Sequence, residues 1–201
     1  MPKVAVIDCG VGNLFSISYA LRKTGLDADI VSASKRLRNI AAVVLPGVGN
    51  FKAGSQNLKA LGQEVIGLVE AGAPLFGICL GMQLLFEESE ESPGKGLGLL
   101  RGKVIRLPKS VKTPHMGWNT LKIIRHNELL EGIGDSDYFY YVHSYYVDSI
   151  DKNFVIAETA YGLNFASVIA KKNIYGTQFH PEKSGKPGKH VLQNFAKIVK
   201  K

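Results

Sequence analysis

The chain has 201 residues, of which 45% are hydrophobic and 21% charged, and it contains only two Cys. This length and composition predict a single domain over residues 1–201 with one hydrophobic core, and they exclude disorder as the main state. Two cysteines exclude a disulfide framework and a four-cysteine structural zinc site. The first residues do not resemble a signal peptide, and no apolar stretch approaches the roughly 18 residues of a membrane span, so we expect a cytoplasmic protein with reduced thiols and no membrane association.

The formal net charge of +8 comes mainly from the C-terminal end of the chain. Residues 183–201 contain six lysines and no acidic residue, so residues 1–182 carry a net charge of only +2. Lysines near the end of a helix complement its dipole, and we interpret this segment as a solvated helix end. Binding of an anionic ligand or an acidic partner is the alternative. Nucleic acid is not expected as a partner, because no aromatic–basic pattern or binding motif accompanies the charge.

The first half of the chain alternates short apolar runs with amphipathic stretches. The apolar runs predict strands at Val4–Ile7, Ala28–Val31, Ala41–Leu45 and Leu75–Ile78. The amphipathic stretches predict a helix that opens at Gly12 and Asn13 and ends at Gly25, a second around Leu58–Val69, and a third over Leu80–Glu88. Buried strands joined by helices predict an α/β fold with a largely parallel sheet covered on both faces.

The second half of the chain is rich in predicted strands. These strands are Lys103–Leu107, Leu121–Ile124, Tyr138–Val147, Phe154–Thr159, Ala166–Ala170 and Ile174–Phe179. The polar segment Lys171–Asn173 predicts a hairpin turn between the last two. A final amphipathic helix is predicted over His190–Val199.

The segment Gly77–Gly81 (GICLG) is the strongest functional signal, because a buried strand passes through it directly into a helix. This is the strand–elbow–helix pattern of serine nucleophiles, with Cys79 in place of serine. The glycines at both ends relieve crowding at the turn, and the helix N-terminus favours a thiolate. A buried structural cysteine is the alternative. Cys9 has no such elbow and is interpreted as a packing residue.

A cysteine nucleophile needs a base, and His180 is the best candidate among the five histidines. It follows a predicted strand, Pro181 stiffens its turn, and Glu182 is close enough in sequence to orient the second ring nitrogen. His143 is expected to pack or to line a ligand site, and His115 is predicted to lie in a loop. His126 and His190 are expected at the surface. No histidine or carboxylate cluster has metal-ligand spacing, so no metal is predicted.

The cysteine elbow and the distant His180–Glu182 segment together resemble the Cys-His-Glu triad of the class I glutamine amidotransferases. Further blocks resemble one branch of this family, the glutaminase subunits of histidine biosynthesis. These blocks are Pro46–Phe51 (PGVGNF), Cys79–Glu91 (CLGMQLLFEESEE), Pro114–Asn119 (PHMGWN), Tyr141–Tyr145 (YVHSY) and Gln178–Gly185 (QFHPEKSG). The resemblance spans nearly the whole chain and implies a flavodoxin-like α/β fold. Cys9 is a departure, since the family more often has tyrosine there, but it concerns packing.

The resemblance implies hydrolysis of glutamine to glutamate and ammonia through a glutamyl thioester, without a cofactor. The ammonia would pass to a (β/α)8-barrel cyclase partner in a heterodimer. Cys79 would attack the carboxamide, His180 would protonate the departing ammonia and then activate water, and Glu182 would orient His180.

The same resemblance assigns further residues by role. An oxyanion hole would use backbone N–H groups of Val48, Gly49 and Leu80. The glutamine site would comprise Gly49, Gln83, Glu91, His143, Ser144 and Tyr145. The cyclase-facing side would include Trp118, Asn119, Tyr140 and Lys183.

Three other functions stay open on the sequence alone. The chain could be a glutaminase for a different ammonia-using synthase, which the block Pro114–Asn119 disfavours. It could be a cysteine hydrolase or peptidase built on the same elbow, which would be indifferent to glutamine. It could also be a catalytically silent binding module, in which Cys79 and Cys9 would react alike with an alkylating agent.

Overall fold

The fold is built around a mixed β-sheet. The computed structural model describes residues 1–10, 12, 14–32, 37–149 and 151–201. The strands are β1 (Lys3–Ile7), β2 (Asp27–Val31), β3 (Ala42–Leu45), β4 (Leu75–Ile78), β5 (Glu88–Ser89), β6 (Gly102–Arg106), β7 (His115–Thr120), β8 (Lys122–Ile123), β9 (Tyr138–His143), β10 (Tyr145–Ser149), β11 (Val155–Ala160), β12 (Asn164–Lys171) and β13 (Ile174–Thr177). The α-helices are α1 (Leu14–Arg22), α2 (Phe51–Glu70), α3 (Leu80–Gln83) and α4 (Gly185–Val199). Within these described ranges the main sheet has eight strands in the order β2-β1-β3-β4-β13-β12-β11-β8.

The central strands are parallel, as predicted, and β3, β4 and β13 are buried along their whole length. Strands β2, β1, β3, β4 and β13 pair in parallel. Val4 and Val6 of β1 belong to the core cluster that also contains the apolar side of α1 and α4, whereas Ala5 and Ile7 belong to the cluster that contains the apolar side of α2. The alternation of side chains along a strand thus produces one core on each face of the sheet.

The strand-rich second half extends this sheet and adds two smaller ones. Strands β12, β11 and β8 continue the main sheet in antiparallel pairs. The predicted hairpin turn is confirmed, since Lys171 pairs with Ile174 and Lys172 takes a left-handed φ of 54°. Strands β7 and β9 form an antiparallel ribbon, while β10, β6 and β5 form a third sheet.

Two predictions in this half, one of a strand and one of a loop, are wrong. The predicted strand Tyr138–Val147 is two strands that separate at Ser144, because β9 pairs with β7 whereas β10 pairs with β6. His115 does not lie in a loop but begins β7. The sequence of β7 has little strand propensity of its own, and its pairing with β9 stabilises the extended conformation.

The helices differ from their predicted bounds at several ends. The predicted helix Leu80–Glu88 ends at Gln83, because the carbonyls of Leu84 and Leu85 accept the N–H groups of Leu97 and Leu100 at 2.7 and 3.1 Å. Helix α2 starts earlier than its apolar pattern suggested, since the Asn50 side chain caps it by accepting backbone N–H groups of the first turn. Helix α4 likewise begins at Gly185, before the predicted His190. Asn13, predicted to open the first helix, lies outside the described residues.

The C-terminal lysines contact other parts of the protein. Lys200 Nζ donates to the Thr24 carbonyl at 3.0 Å, and Lys201 pairs with Glu128. Lys197 lies 4.0 Å from Glu131. These exposed contacts fit the interpretation of a solvated helix end, and such pairs contribute little to stability. Across the described ranges, none of the helices has the length and apolar character needed to traverse a bilayer.

Candidate active site

Cys79 sits on a strained turn between β4 and α3, as the elbow pattern predicted. Its φ of 53° and ψ of −109° lie in a region that L-residues rarely adopt. A Cβ at Gly77 would lie 2.7 Å from the backbone of Met82, and one at Gly81 would collide with the carbonyl oxygen of Leu45. Only glycine fits at these two positions, so they let β4 turn sharply into α3 and present the Cys79 sulfur to the cavity.

Cys9 lies in a different environment. Its side chain is fully buried in the core on the α2 side of the sheet. Burial, with a smaller contribution from Asp8, raises the pKa of Cys9 to about 12. This thiol is therefore protonated at neutral pH and fits the predicted packing role.

His180 and Glu182 are brought to Cys79 because β4 and β13 are adjacent parallel strands that end at the same edge of the sheet. The Cys79 N–H donates to the Thr177 carbonyl of β13 at 2.7 Å. His180 Nδ1 and Glu182 Oε1 are 2.9 Å apart, and both side chains are buried. This pair has the geometry of a base and its orienting carboxylate.

The pKa of His180 is set by its burial and by its contacts with Cys79 and Glu182. Burial lowers the pKa of His180, but the Cys79 sulfur and the Glu182 carboxylate outweigh burial and raise it to about 10. The other ring nitrogen, Nε2, is buried and makes no hydrogen bond of ordinary geometry to the described part of the chain. That nitrogen is the one free to exchange a proton with the nucleophile and the substrate.

The loop that carries His180 is held to β9 by two hydrogen bonds at Tyr140, and a third hydrogen bond braces the loop internally. The His180 N–H donates to the Tyr140 carbonyl at 2.9 Å. Ser184 Oγ accepts the Tyr140 N–H at 2.9 Å and donates to the His180 carbonyl at 2.6 Å. Ser184 is fully buried, so these hydrogen bonds are shielded from water and hold the base in place.

A cavity of about 180 Å³ opens at Cys79. All six residues predicted to bind glutamine line it, together with Cys79 and Leu80; the six are Gly49, Gln83, Glu91, His143, Ser144 and Tyr145. Its volume is below the roughly 300–1,000 Å³ of drug-sized sites, which suits a ligand as small as an amino acid. The Glu91 carboxylate accepts the Phe51 N–H at 2.6 Å through Oε2, which fixes its position at the start of α2.

The predicted oxyanion loop packs directly on the elbow. The Leu80 N–H donates to the Gly47 carbonyl at 3.2 Å. In this conformation the predicted oxyanion-hole donor is therefore already hydrogen-bonded to the protein and is not available to a substrate oxygen. A Cβ at Gly47 would lie 3.1 Å from the Leu80 Cβ, and Gly49 has a φ of 125°. The loop is therefore glycine-dependent, and the oxyanion roles of Val48, Gly49 and Leu80 stay predictions.

His143 and His115 form a buried neutral pair beside the cavity. The Tyr145 carbonyl can only accept, so His143 Nδ1, 2.9 Å away, carries the proton. His143 Nε2 then accepts from His115 Nδ1 at 3.0 Å, and His115 Nε2 accepts from the Asn119 amide at 3.4 Å. Burial lowers the pKa of His115 to about 4, and burial with the neighbouring histidines lowers that of His143 to about 3. His143 thus lines the ligand site as a neutral side chain.

Of the residues predicted to face a partner, Trp118, Asn119 and Tyr140 lie on the β7–β9 ribbon, divided between its two faces, and Lys183 lies in the triad loop. Trp118 is 55% exposed and packs edge-on against Tyr140, and Lys183 Nζ lies 5.9 Å from the centre of the Tyr140 ring. Asn119 lies on the opposite face, where its amide donates to the Ala160 carbonyl at 3.1 Å. We call the outward side, with Met116, Trp118, Tyr138 and Tyr140, the ribbon face. A partner contact of Asn119 stays a prediction.

Three residues near Cys79 were not singled out from the sequence. Pro114 and Val142 line the cavity, and the Val142 carbonyl lies 3.9 Å from the Cys79 sulfur. Gln178 Nε2 lies 3.6 Å from the same sulfur. The spacing of Gln178 two residues before His180 was the available signal, because residues i and i+2 of an extended chain share a side.

The sequence of the chain is similar to those of known glutamine amidotransferases. The family model of glutamine amidotransferase class-I matches residues 5–199. The chain is 48% identical to the imidazole glycerol phosphate synthase subunit HisH of Methanothermobacter thermautotrophicus, over 98% of this chain and 99% of that protein. It is 45% identical to the subunit of the same name from Methanocaldococcus jannaschii, over 98% and 100%.

Solved structures with lower identity share the fold. A structure of PurLQS from Thermotoga maritima aligns with a TM-score of 0.81 at 20% identity, covering 98% of this chain and 99% of that one. A crystal structure of a glutamine amidotransferase aligns with a TM-score of 0.77 at 22% identity, covering 98% and 99%. Both likenesses support the predicted α/β architecture.

Proposed function

Because the chain belongs to the class I glutamine amidotransferase family, on the branch of the HisH subunits of imidazole glycerol phosphate synthase, we propose that Cys79, His180 and Glu182 hydrolyse L-glutamine to glutamate and ammonia. The observation that carries this proposal is the convergence of three features. A cysteine on a nucleophile elbow, a carboxylate-paired histidine and a cavity lined by Glu91 meet at one edge of the sheet.

The first half of the reaction forms a thioester. The Cys79 sulfur gives its proton to His180 and attacks the side-chain carboxamide carbon of glutamine, producing a tetrahedral oxyanion. When this intermediate collapses, the C–N bond breaks and the imidazolium of His180 protonates the leaving nitrogen, so that ammonia departs. The Glu182 carboxylate stabilises the imidazolium at the moment when it carries the positive charge.

The second half releases glutamate. His180, neutral again, removes a proton from water, which attacks the thioester carbon. The second tetrahedral intermediate expels the Cys79 thiolate, and glutamate leaves with the new oxygen. Each intermediate places negative charge on the former carbonyl oxygen, where a backbone N–H such as that of Leu80 would stabilise it once Gly47 no longer occupies that group.

The cavity suits the amino-acid part of glutamine. The substrate ammonium is a compact cation, and Glu91 supplies a carboxylate fixed by the Phe51 N–H. Ser144 and Tyr145 bring backbone groups to the same wall, where the substrate carboxylate and carboxamide need hydrogen bonds. The two N–H groups of Gln83 are bonded to Tyr145 and Gln178, so Gln83 offers the substrate its amide oxygen, an acceptor suited to the ammonium. The His143 side chain forms part of the cavity wall and, being neutral, places no charge next to the substrate.

The relatives are named as one subunit of a synthase, so a partner subunit follows from the family. We propose that the partner is a (β/α)8-barrel cyclase. It would use the ammonia on a phosphoribulosyl formimino carboxamide ribotide to form imidazole glycerol phosphate and AICAR, in histidine biosynthesis. The ribbon face is the docking surface we propose, because an exposed Trp and Tyr are common anchors of protein interfaces and this face adjoins the triad loop.

We also place this activity in the cytoplasm. The reducing environment of that compartment would keep the two free thiols, Cys9 and Cys79, in their reduced form.

The deciding experiment measures glutamate release from glutamine by the chain with the candidate cyclase and its nucleotide substrate, and follows imidazole glycerol phosphate in the same reaction. We expect both products in equal amounts. Glutamate without transfer to the cyclase, but with activation by another synthase, would favour the alternative of a glutaminase for a different enzyme. Cleavage of peptides or esters with no activity on glutamine would contradict the proposal.

A further inference from the structure

Two buried amide side chains lie beneath the nucleophile and contact each other. Gln83 of α3 is 5% exposed, and Gln178, just after β13, is not exposed at all. Gln83 Nε2 donates to Gln178 Oε1 at 3.2 Å, and Gln178 Nε2 lies 3.6 Å from the Cys79 sulfur. A chain of hydrogen bonds therefore ends on the reacting atom, at a distance suited to an N–H and a sulfur.

The Tyr145 carbonyl determines which end of each amide, the nitrogen or the oxygen, faces its neighbour. The Tyr145 carbonyl lies 2.9 Å from the Gln83 amide and can only accept, so Gln83 must present its nitrogen there. The second hydrogen of that nitrogen points to Gln178, which must then present its oxygen. The remaining half of the Gln178 amide, its Nε2, consequently faces Cys79 as a donor.

A donor at this position matters more for the ionised sulfur than for the thiol. A thiol can donate its proton to the Val142 carbonyl, 3.9 Å away, whereas a thiolate has no proton to donate and needs donors around it. Hydrogen bonds to a charged group are stronger than those to a neutral one. The Gln178 amide is also held by Gln83, so it keeps its direction when the sulfur ionises.

We propose that Gln178 is a positioning residue for the nucleophile, which holds the Cys79 sulfur towards the cavity and stabilises its ionised form through an N–H donor. The proposal rests on the glutaminase function of Cys79 and adds a residue to its machinery. Gln178 does not touch the substrate in this role; it acts through the sulfur.

The test compares Gln178→Met, which keeps the volume and removes the donor, with Gln178→Glu, which replaces the donor by an acceptor. Both changes are made in the full chain with Cys9→Ala, so that Cys79 is the thiol that reacts. Alkylation of Cys79 by iodoacetamide at pH 7 is expected to slow about 10- to 100-fold in Gln178→Met and further in Gln178→Glu. With the cyclase bound, kcat should fall by a similar factor while KM for glutamine changes little.

The matched control is Asn194→Leu. Asn194 is a buried amide far along α4 that donates to the Leu129 and Glu131 carbonyls, so its loss lowers stability without touching the sulfur. Asn194→Leu should alkylate at the unaltered rate. Gln178 variants that stay folded by circular dichroism and react as fast as the parent would overturn the proposal, and so would an equal slowing in the control.

Protection by glutamine separates this inference from the function on which it rests. Glutamine should slow alkylation of the parent chain by filling the cavity. Absence of protection would contradict the glutaminase function, whereas the order of alkylation rates among the Gln178 variants would still decide the role of Gln178.

Discussion

His180 and Tyr140 are joined through their backbones, since the His180 N–H donates to the Tyr140 carbonyl at 2.9 Å. The side chain of the same Tyr140 packs against Trp118 on the ribbon face. The catalytic base and the proposed docking surface therefore share one residue of β9. A partner bound to this face contacts the same strand that holds the catalytic base. A conformational effect of the partner on the base would therefore pass through one residue and not through the core.

Cys79 should be the thiol on which activity depends. Cys79→Ser is expected to keep the fold and glutamine binding but to lower glutamate release by at least about 10³-fold, because a hydroxyl lacks thiolate character. Cys9→Ala is the matched control and should retain activity, since Cys9 is buried in the core. Glutamate release is measured with the partner present. An active Cys79→Ser, or an inactive but folded Cys9→Ala, would show that the nucleophile is assigned wrongly.

Glu182→Gln should lower turnover much more than substrate binding. The change keeps the shape and the hydrogen bond to His180 but removes the charge that stabilises the imidazolium, so kcat should fall about 10²–10⁴-fold. KM for glutamine should change little, because the charge matters mainly in the transition state. Steady-state kinetics at saturating partner give both constants. An effect confined to KM would mean that Glu182 binds substrate instead.

The buried histidine pair should make stability fall in mild acid. The pKa of His115 is lowered to about 4 in the folded protein, against about 6.5 when unfolded, so between these values the unfolded chain binds more protons. The free energy of unfolding should therefore decrease as the pH drops, by about 2 kcal/mol from His115 alone between pH 7 and pH 5. His143 adds a contribution of the same sign, since its pKa is lowered to about 3.

His115→Phe tests this linkage, because phenylalanine keeps a ring between Tyr141 and Tyr161, on which His115 stacks. Urea unfolding at several pH values should give a shallower loss of stability in acid than for the parent, even if the variant is less stable at pH 7. An unchanged pH slope would show that His115 takes up protons equally in both states.

Trp118→Ala should weaken binding of the partner subunit. A central interface tryptophan typically contributes at least about 2 kcal/mol, which corresponds to a rise in Kd of about 30-fold. Ile124→Ala is a suitable control, because Ile124 is a similarly exposed apolar residue outside the ribbon face. Calorimetric titration of each variant with the cyclase gives the constants. Equal losses in both variants would place the interface elsewhere.

The isolated chain should be a poor glutaminase even though its triad is assembled. The Leu80 N–H is bonded to the Gly47 carbonyl, and the loss of one oxyanion donor typically costs about 10²–10³ in rate. The glycines of the Pro46–Gly49 loop allow a peptide flip, and a liganded cyclase would shift the loop by binding the flipped form more tightly. Glutamate release is compared for the chain alone, with cyclase, and with cyclase plus nucleotide. Equal rates in all three would contradict this gate and leave the triad unaffected.

The parts of the fold that could be predicted are those specified by local pattern. The run Leu75–Ile78 followed by glycine-flanked Cys79 fixes a strand, a turn and a helix start within a few residues. The parallel central sheet follows from short apolar strands separated by amphipathic helices. The six predicted glutamine-site residues that line the cavity were reached through the resemblance, since they come from four separate segments of the chain.

The parts that could not be predicted depend on distant contacts. Strand β7 contains a glycine and few strand-forming residues, and it is extended because β9 pairs with it. The early end of α3 is decided by Leu97 and Leu100, which take the carbonyls that a longer helix would use. The contact of Gln178 with Cys79 joins positions 99 residues apart, and the spacing of Gln178 from His180 indicates a shared side of the chain but not this contact.

The same separation has a consequence for synthesis in the cell. Strand β4, which carries the nucleophile, finds its neighbour β13 only after nearly the whole chain has been made. Because chains emerge from the ribosome N-terminus first, an unfinished chain holds Cys79 without His180. The chain can thus release ammonia only near the end of its synthesis. By then all residues of the ribbon face, to which the partner would bind, have already been made. A truncated product of interrupted translation would waste no glutamine.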